Sequence, residues 1–284
     1  MKTLYLFILY LIGAPLVGAW LAGWDRRLSA RLQSRVGPPI LQPVYDVLKL
    51  TQKENMVVRR SQNFYIAYYL IFVIFTGALF FTGQDMLLII FSLMLASVFF
   101  VLAGFKASSP YSFIGAQREL VQIMAYEPAV IFAAIGMYMV TGTFEVSKLA
   151  QTNHWLILSL PGIFFAYLFI LAMKLRKSPF DISTSHHGHQ EVVKGITTEF
   201  SGKALAMIEV AHWYETTFIL GIVYLFFAKS VVAGLSAALA AYVFMVFVDN
   251  AFARVKWPLA LASSWIVAFL CGAGNMIWLF FTRH

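Results

Sequence analysis

The chain has 284 residues, of which 61% are apolar and 12% charged, and its mean hydropathy is +0.77. A soluble domain would carry roughly 25% charged residues, so a large water-soluble interior is excluded. The net charge of +8 follows the loops between apolar runs, which makes it a membrane-orientation signal and argues against nucleic acid as a partner.

A bilayer core of about 30 Å needs around 20 apolar residues per helix, and runs of that length recur along the sequence. They predict about eight transmembrane helices, at 3–22, 64–83, 86–104, 120–141, 155–174, 205–228, 230–248 and 260–281. Helices are required because backbone polar groups at membrane depth need partners within their own segment. The first run resembles a signal peptide, but only Lys2 precedes it and a dense basic cluster follows, which favours an uncleaved anchor. Of the 21 Lys and Arg residues, 17 lie in or beside the loops after spans one, three, five and seven, at 23–63, 105–119, 175–204 and 249–259. The positive-inside rule then places those loops in the cytoplasm and both termini outside. The expected fold class is an all-α polytopic membrane protein, one integral membrane domain over 1–284, with long cytoplasmic loops.

Within the first loop, Gly37-Pro38-Pro39 marks a turn. Residues 43–54 then place Val44, Val47, Leu48 and Thr51 at helical spacing, as in a short amphipathic helix at the interface. Glu127 lies inside span four, about 12 Å deep at 1.5 Å per residue. A charge there costs about 2.5–3.5 kcal/mol on insertion scales, so it needs a cavity or a partner. Pro128 follows it and frees a carbonyl nearby. The bland alternative is a protonated acid satisfied within the bundle. Span six carries Glu209, His212 and Glu215 at intervals of three, which keeps them along one side of a helix. Such a row suits a proton relay with interdependent titrations, or else a static polar seam. Between spans five and six stand Asp181, Glu191 and Glu199, with His186, His187 and His189. The histidine run invites a metal reading, but its spacing matches no recognised zinc site, so no metal is assigned. Proton exchange or docking suits it better, with a merely solvated loop as the plain alternative. Gly234, Ala237, Ala238 and Ala241 in span seven read as helix packing. The single cysteine, Cys271, cannot hold an iron–sulfur cluster, and one intramembrane histidine cannot hold a haem between two axial ligands. The chain is expected to carry no cofactor and no catalytic residue of its own.

Four segments resemble the membrane anchor of respiratory complex I (the subunit designated H, or 1 in mitochondria) and its relatives in membrane-bound hydrogenases. At 25–54, Gln33, Arg35, Gly37, Pro38, Lys53 and Glu54 fall on the family pattern. At 115–128, Arg118, Tyr126 and Glu127 do so; at 178–202 the matching pieces are SPFDI, EVVKG and EFSG. DNAFARVKWPLAL at 249–261 matches more loosely. The similarity runs in order along nearly the whole chain. The departures resemble the Ech-type energy-converting nickel–iron hydrogenases. Ser183 to Gln190 replaces the family's group of glutamates, and the sixth-span glutamate falls at His212 between Glu209 and Glu215. The rebuilt loop puts quinone binding in doubt.

What the resemblance implies is an anchor and coupling subunit of a ferredoxin-linked, hydrogen-evolving, ion-translocating hydrogenase in the cell inner (cytoplasmic) membrane. Its expected partners are a nickel–iron large subunit and an iron–sulfur small subunit, which hold those cofactors in a soluble arm, together with an antiporter-like membrane subunit and the lipid bilayer. Glu119, Glu127, Asp181, Glu191, Glu199, Glu209, His212 and Glu215 are the implied coupling residues. Arg27, Arg31, Arg35 and Arg118, with His186, His187 and His189, are implied in docking or tuning. The alternatives are the quinone-site membrane subunit of a respiratory NADH dehydrogenase and, from another class, a free-standing secondary transporter. The transporter is disfavoured by the absence of an internal repeat.

Overall fold

A computed structural model describes residues 2–54, 60–183 and 194–283. In chain order the helices are α1 (Lys2–Leu32), α2 (Gln42–Gln52), α3 (Arg60–Phe81), α4 (Met86–Lys106), α5 (Pro110–Thr141) and α6 (Val146–Leu149). They continue with α7 (Leu156–Ser159), α8 (Pro161–Lys174), α9 (Gly202–Phe226), α10 (Val231–Ala251), α11 (Trp257–Val267) and α12 (Gly274–Arg283). No strand occurs among the described residues. Among the described residues, six stretches are long and apolar enough to cross a membrane: Thr3–Leu32, Ser61–Phe81, Met86–Lys106, Pro110–Thr141, Val231–Ala251 and Trp257–Thr282. They coincide with predicted spans one to four, seven and eight. At the fifth, Leu160 divides the run and leaves 14 residues in α8. At the sixth, α9 has 25 residues but carries Lys203, Glu209, His212 and Glu215. The chain is an all-helical, multi-pass membrane protein.

Two helices, α1 and α5, outrun their predicted spans by far more than the others do. α1 continues past residue 22 to Leu32, where it closes with Ser34 in a left-handed conformation (φ 56°). Ser34 N donates to Arg31 O at 3.0 Å and Arg35 N to Ala30 O at 2.7 Å, the paired bonds of a Schellman ending. α5 starts at Pro110 rather than 120, because proline is preorganised for the first helical position. Most of the expected loop 105–119 is therefore helix, and it carries Arg118 and Glu119 into the bundle.

α9 lies at the centre, packed against α1, α2, α3 and α10, while α5 packs on α4, α8 and α11. The prolines inside α1 and α5 are both answered across helix contacts. Pro15 leaves the Leu11 carbonyl without its helical donor, and Tyr214 Oη donates to it at 2.6 Å. Pro128 does the same to Met124 O, which accepts from the Trp265 indole at 3.0 Å. The carbonyl freed beside Glu127 is thus already engaged. Close packing by small residues holds where the sequence suggested it: a Cβ on Gly234 would lie 2.4 Å from the Tyr224 ring.

The break before α8 would leave amide groups bare in hydrocarbon. Asn275, at the start of α12, covers them. Its Oδ1 accepts from Gly162 N at 2.9 Å and Ile163 N at 3.2 Å, and its Nδ2 donates to Ser159 O at 3.1 Å. A π-helical turn at Ala268–Ala273 immediately precedes α12, and the extra residue per turn shifts the register that presents Asn275.

Candidate coupling site: a chain of buried ion pairs

The site grows from the end of α8. Leu175 caps the helix, Arg176 N donates to Met173 O at 3.0 Å, and Lys177 N to Ala172 O at 2.9 Å. This is a second Schellman ending, but its left-handed position (φ 53°) is held by Arg176, where glycine is the usual choice. A non-glycine residue there carries backbone strain of about 1–3 kcal/mol and persists only if the surroundings enforce it. The turn sends Lys174, Arg176 and Lys177 to three different neighbours.

Lys174 lies 3.6 Å from the Tyr126 ring centroid and lines a small cavity with Glu127. Arg176 Nη2 pairs with Glu119 Oε1 at 3.1 Å, and its Nη1 meets His212 Nε2. A guanidinium only donates, so Nε2 of His212 is the accepting side of this contact. Tyr69 joins this group, its ring 6.4 Å from His212 and its hydroxyl donating to Glu215 Oε2 at 3.3 Å. Lys177 pairs with Asp25 at 2.6 Å and Asp249 at 3.5 Å. Asp249 also accepts from Ser178 N at 2.8 Å. Farther along the turn, Asp181 pairs with Arg254 at 3.2 Å. Val255 N donates to Pro179 O at 2.9 Å, and Ile196 N to Ser183 O at 3.1 Å. Ion pairs this deep are costly to form and more costly to break, because losing one partner strands a buried charge.

The predicted acids distribute over this frame unevenly. Glu119, Asp181 and Glu215 are buried, whereas Glu127, Glu199, Glu209 and His212 are half-buried. Glu119, His212 and Glu215 are drawn together through Arg176 and Tyr69. Glu127 stands apart beside Lys174, and Glu209 lies within electrostatic reach of Arg26 and Arg176. Glu191, His186, His187 and His189 lie outside the described residues. Arg27, Arg31 and Arg35 are exposed together at the end of α1, and Arg118 is half-buried in α5. Gln33 Nε2 donates to Asn250 Oδ1 at 2.8 Å, which ties this basic end to α10. Sequence reasoning did not single out Lys174, Arg176, Lys177, Asp25, Asp249, Arg254 or Tyr69.

α2 is clamped to α1 by Arg26 Nη1 and Asp46 Oδ2 at 2.5 Å, with Gln42 donating to Asp46 Oδ1 at 3.0 Å. Partial burial pushes the Asp46 carboxyl up, but the Arg26 and Gln42 hydrogen bonds and the charges of Arg26 and Lys49 outweigh it and hold it below its ordinary value. A crevice of about 800 Å³ between α1, α9 and α10, lined by Trp20, Phe80, Leu220, Tyr224 and Leu235, contains none of these acids.

The chain matches the family described as NADH dehydrogenase over residues 4–280. The NADH-quinone oxidoreductase subunit designated H in Aquifex aeolicus is 29% identical over 230 residues, which is 70% of this chain and 68% of that protein. The corresponding subunit of Dehalococcoides mccartyi is 25% identical over 304 residues, covering 96% and 85%. In structure, the chain superposes on one from the membrane-bound sulfane sulfur reductase, an archaeal respiratory membrane complex, with a TM-score of 0.86 and 26% identity. That likeness covers 98% of this chain and 100% of the other. The chain therefore belongs to the NADH dehydrogenase family of complex I membrane anchors, as a membrane subunit of a complex I-like respiratory complex.

Proposed function

We propose that the chain is the anchor and coupling subunit of a ferredoxin-linked, hydrogen-evolving, ion-translocating hydrogenase. Its exposed Arg27, Arg31 and Arg35 would meet a soluble arm holding the iron–sulfur clusters and nickel–iron site. Its buried acids would pass the charge changes of that arm to antiporter-like membrane subunits. The observation that carries the coupling role is the connected set Glu119–Arg176–His212–Tyr69–Glu215, which joins α3, α5, α9 and the α8 turn through charged or titratable groups. A merely structural interior would often be as stable or more stable with apolar residues in those places, and intramembrane acids are functional by default. The hydrogenase branch rests on the sequence of 183–190, where SHHGH stands in place of the glutamates of the quinone-reducing relatives.

A second reading, reduction of sulfane sulfur by the same architecture, is favoured by the neighbour at a TM-score of 0.86. The names of the NADH-quinone oxidoreductase relatives favour quinone instead. One experiment separates the three: purify the complex through a tag on this chain, measure nickel and iron, and assay hydrogen evolution from reduced ferredoxin, sulfane sulfur reduction and quinone reduction. Nickel with hydrogen supports the proposal. Iron without nickel, together with either of the other activities, replaces it.

A further inference from the structure

Several buried oxygens at and around the ion-pair chain have no hydrogen-bond partner among the described residues, and two of them lie on one face of α5: Glu119 Oε2 and Gln122 Oε1. Their residues are 4% and 2% exposed. Three positions apart in α5, they share a helix face, on which such side chains are neighbours. Both reach the same turn, Glu119 through Arg176 and Gln122 through the Met173 and Phe180 carbonyls. The Gln122 amide cannot be turned over. Its Nε2 donates to both carbonyls at 3.0 Å, and a flip would set oxygen against oxygen. Oε1 therefore needs a donor from elsewhere, as does Glu119 Oε2.

We propose that one buried water molecule bridges Glu119 Oε2 and Gln122 Oε1, with Gln122 as the residue that positions it. A water supplies two O–H donors, one for each oxygen, and buried polar groups left over by the protein are commonly satisfied in this way. A sodium ion also likes oxygens, but Arg176 already neutralises Glu119. A further cation at Glu119 Oε2 would face the Arg176 guanidinium across a single carboxylate that is already paired. The bridge gives Glu119 something the ion pair cannot. Arginine does not release its proton, whereas a water against the second carboxylate oxygen can exchange one. Gln122 thereby sets the position at which Glu119 gains or loses its proton. This role for Glu119 rests on the coupling function proposed above; the water site itself does not.

The test is a cryo-EM map of the intact complex sharp enough to resolve waters. Density within about 2.7–3.2 Å of both oxygens is expected. It should vanish in Gln122→Leu, with ion transport per electron falling several-fold. No density in the unaltered complex, or density touching just one of the two oxygens, overturns the site. Several oxygen ligands at about 2.4 Å would mark a metal ion and overturn the water assignment. Unchanged transport in Gln122→Leu overturns the positioning role. Because density reads the water independently of transport, a failure of the coupling reading, signalled by normal transport in Glu119→Gln, is told apart from a failure of the site.

Discussion

Arg176 joins two conflicting demands, a backbone position that suits glycine and a side chain that both Glu119 and His212 meet. Replacing it by glycine relieves about 1–3 kcal/mol of backbone cost but strands Glu119, and breaking a buried pair costs about 3–5 kcal/mol. Arg176→Gly should therefore lower the melting temperature of the complex, and adding Glu119→Gln should recover a large part of the loss. Additive losses in the double variant would show that the pair is not coupled. Asp46 gives a pH signature at the same scale. Its lowered carboxyl contributes stability that is present above the ordinary value of about 3.9 and is lost as pH falls through the lowered one. A spin label at position 48 should thus stay ordered from pH 8 down to about pH 4 and loosen below. In Arg26→Ala it should be mobile throughout, and loosening between pH 6 and 8 would contradict the clamp. Asp25 and Asp249 escaped the sequence reading, whereas Glu127, Glu209 and Glu215 were legible because a carboxylate at membrane depth is conspicuous. Their basic partners were not. Lys174, Arg176 and Lys177 follow an apolar run, where such residues ordinarily mark the membrane surface, and nothing in their spacing says that the chain turns back and buries them.

Among the elements, the long apolar runs revealed the helices, but their ends and interruptions depended on contacts that no local pattern records. α5 starts ten residues early because Pro110 opens it, and the run at 155–174 is broken at Leu160. The break is tolerable because Asn275 caps α8 from the last helix. Asn275→Leu removes three hydrogen bonds and strands donors, at about 1–3 kcal/mol for each group left unsatisfied. It should lower thermal stability clearly more than Asn63→Leu, a change in a residue whose Oδ1 has no partner among the described residues. Equal effects would mean that the cap contributes nothing. Gly162→Ala should act in the same direction, since its Cβ would fall 2.5 Å from Cys271 O.

For the whole molecule, the consequence of a connected interior is that function and assembly separate. Glu215→Gln keeps a hydrogen-bond acceptor for Tyr69, and Glu127→Gln removes a charge from a half-buried position, so the complex should assemble at normal yield in both. Ion transport per electron, measured in proteoliposomes, should fall. Full transport in both variants would remove these acids from the coupling route. The turn after α8 reaches further than its charges. Ser183 and Ile196 are joined by a backbone hydrogen bond, and Pro179, Asp181 and Ser178 are pinned to α10 and the segment that follows it. The chain on either side of 184–193 is therefore fastened together, whatever lies between. A closed gap of this kind tolerates insertions at a slowly growing entropic cost, and the buried charges stay where they are. The frame is thus closed by its own bonds, so a change in the number or kind of residues that bridge it leaves Glu119, Arg176 and Lys177 in place.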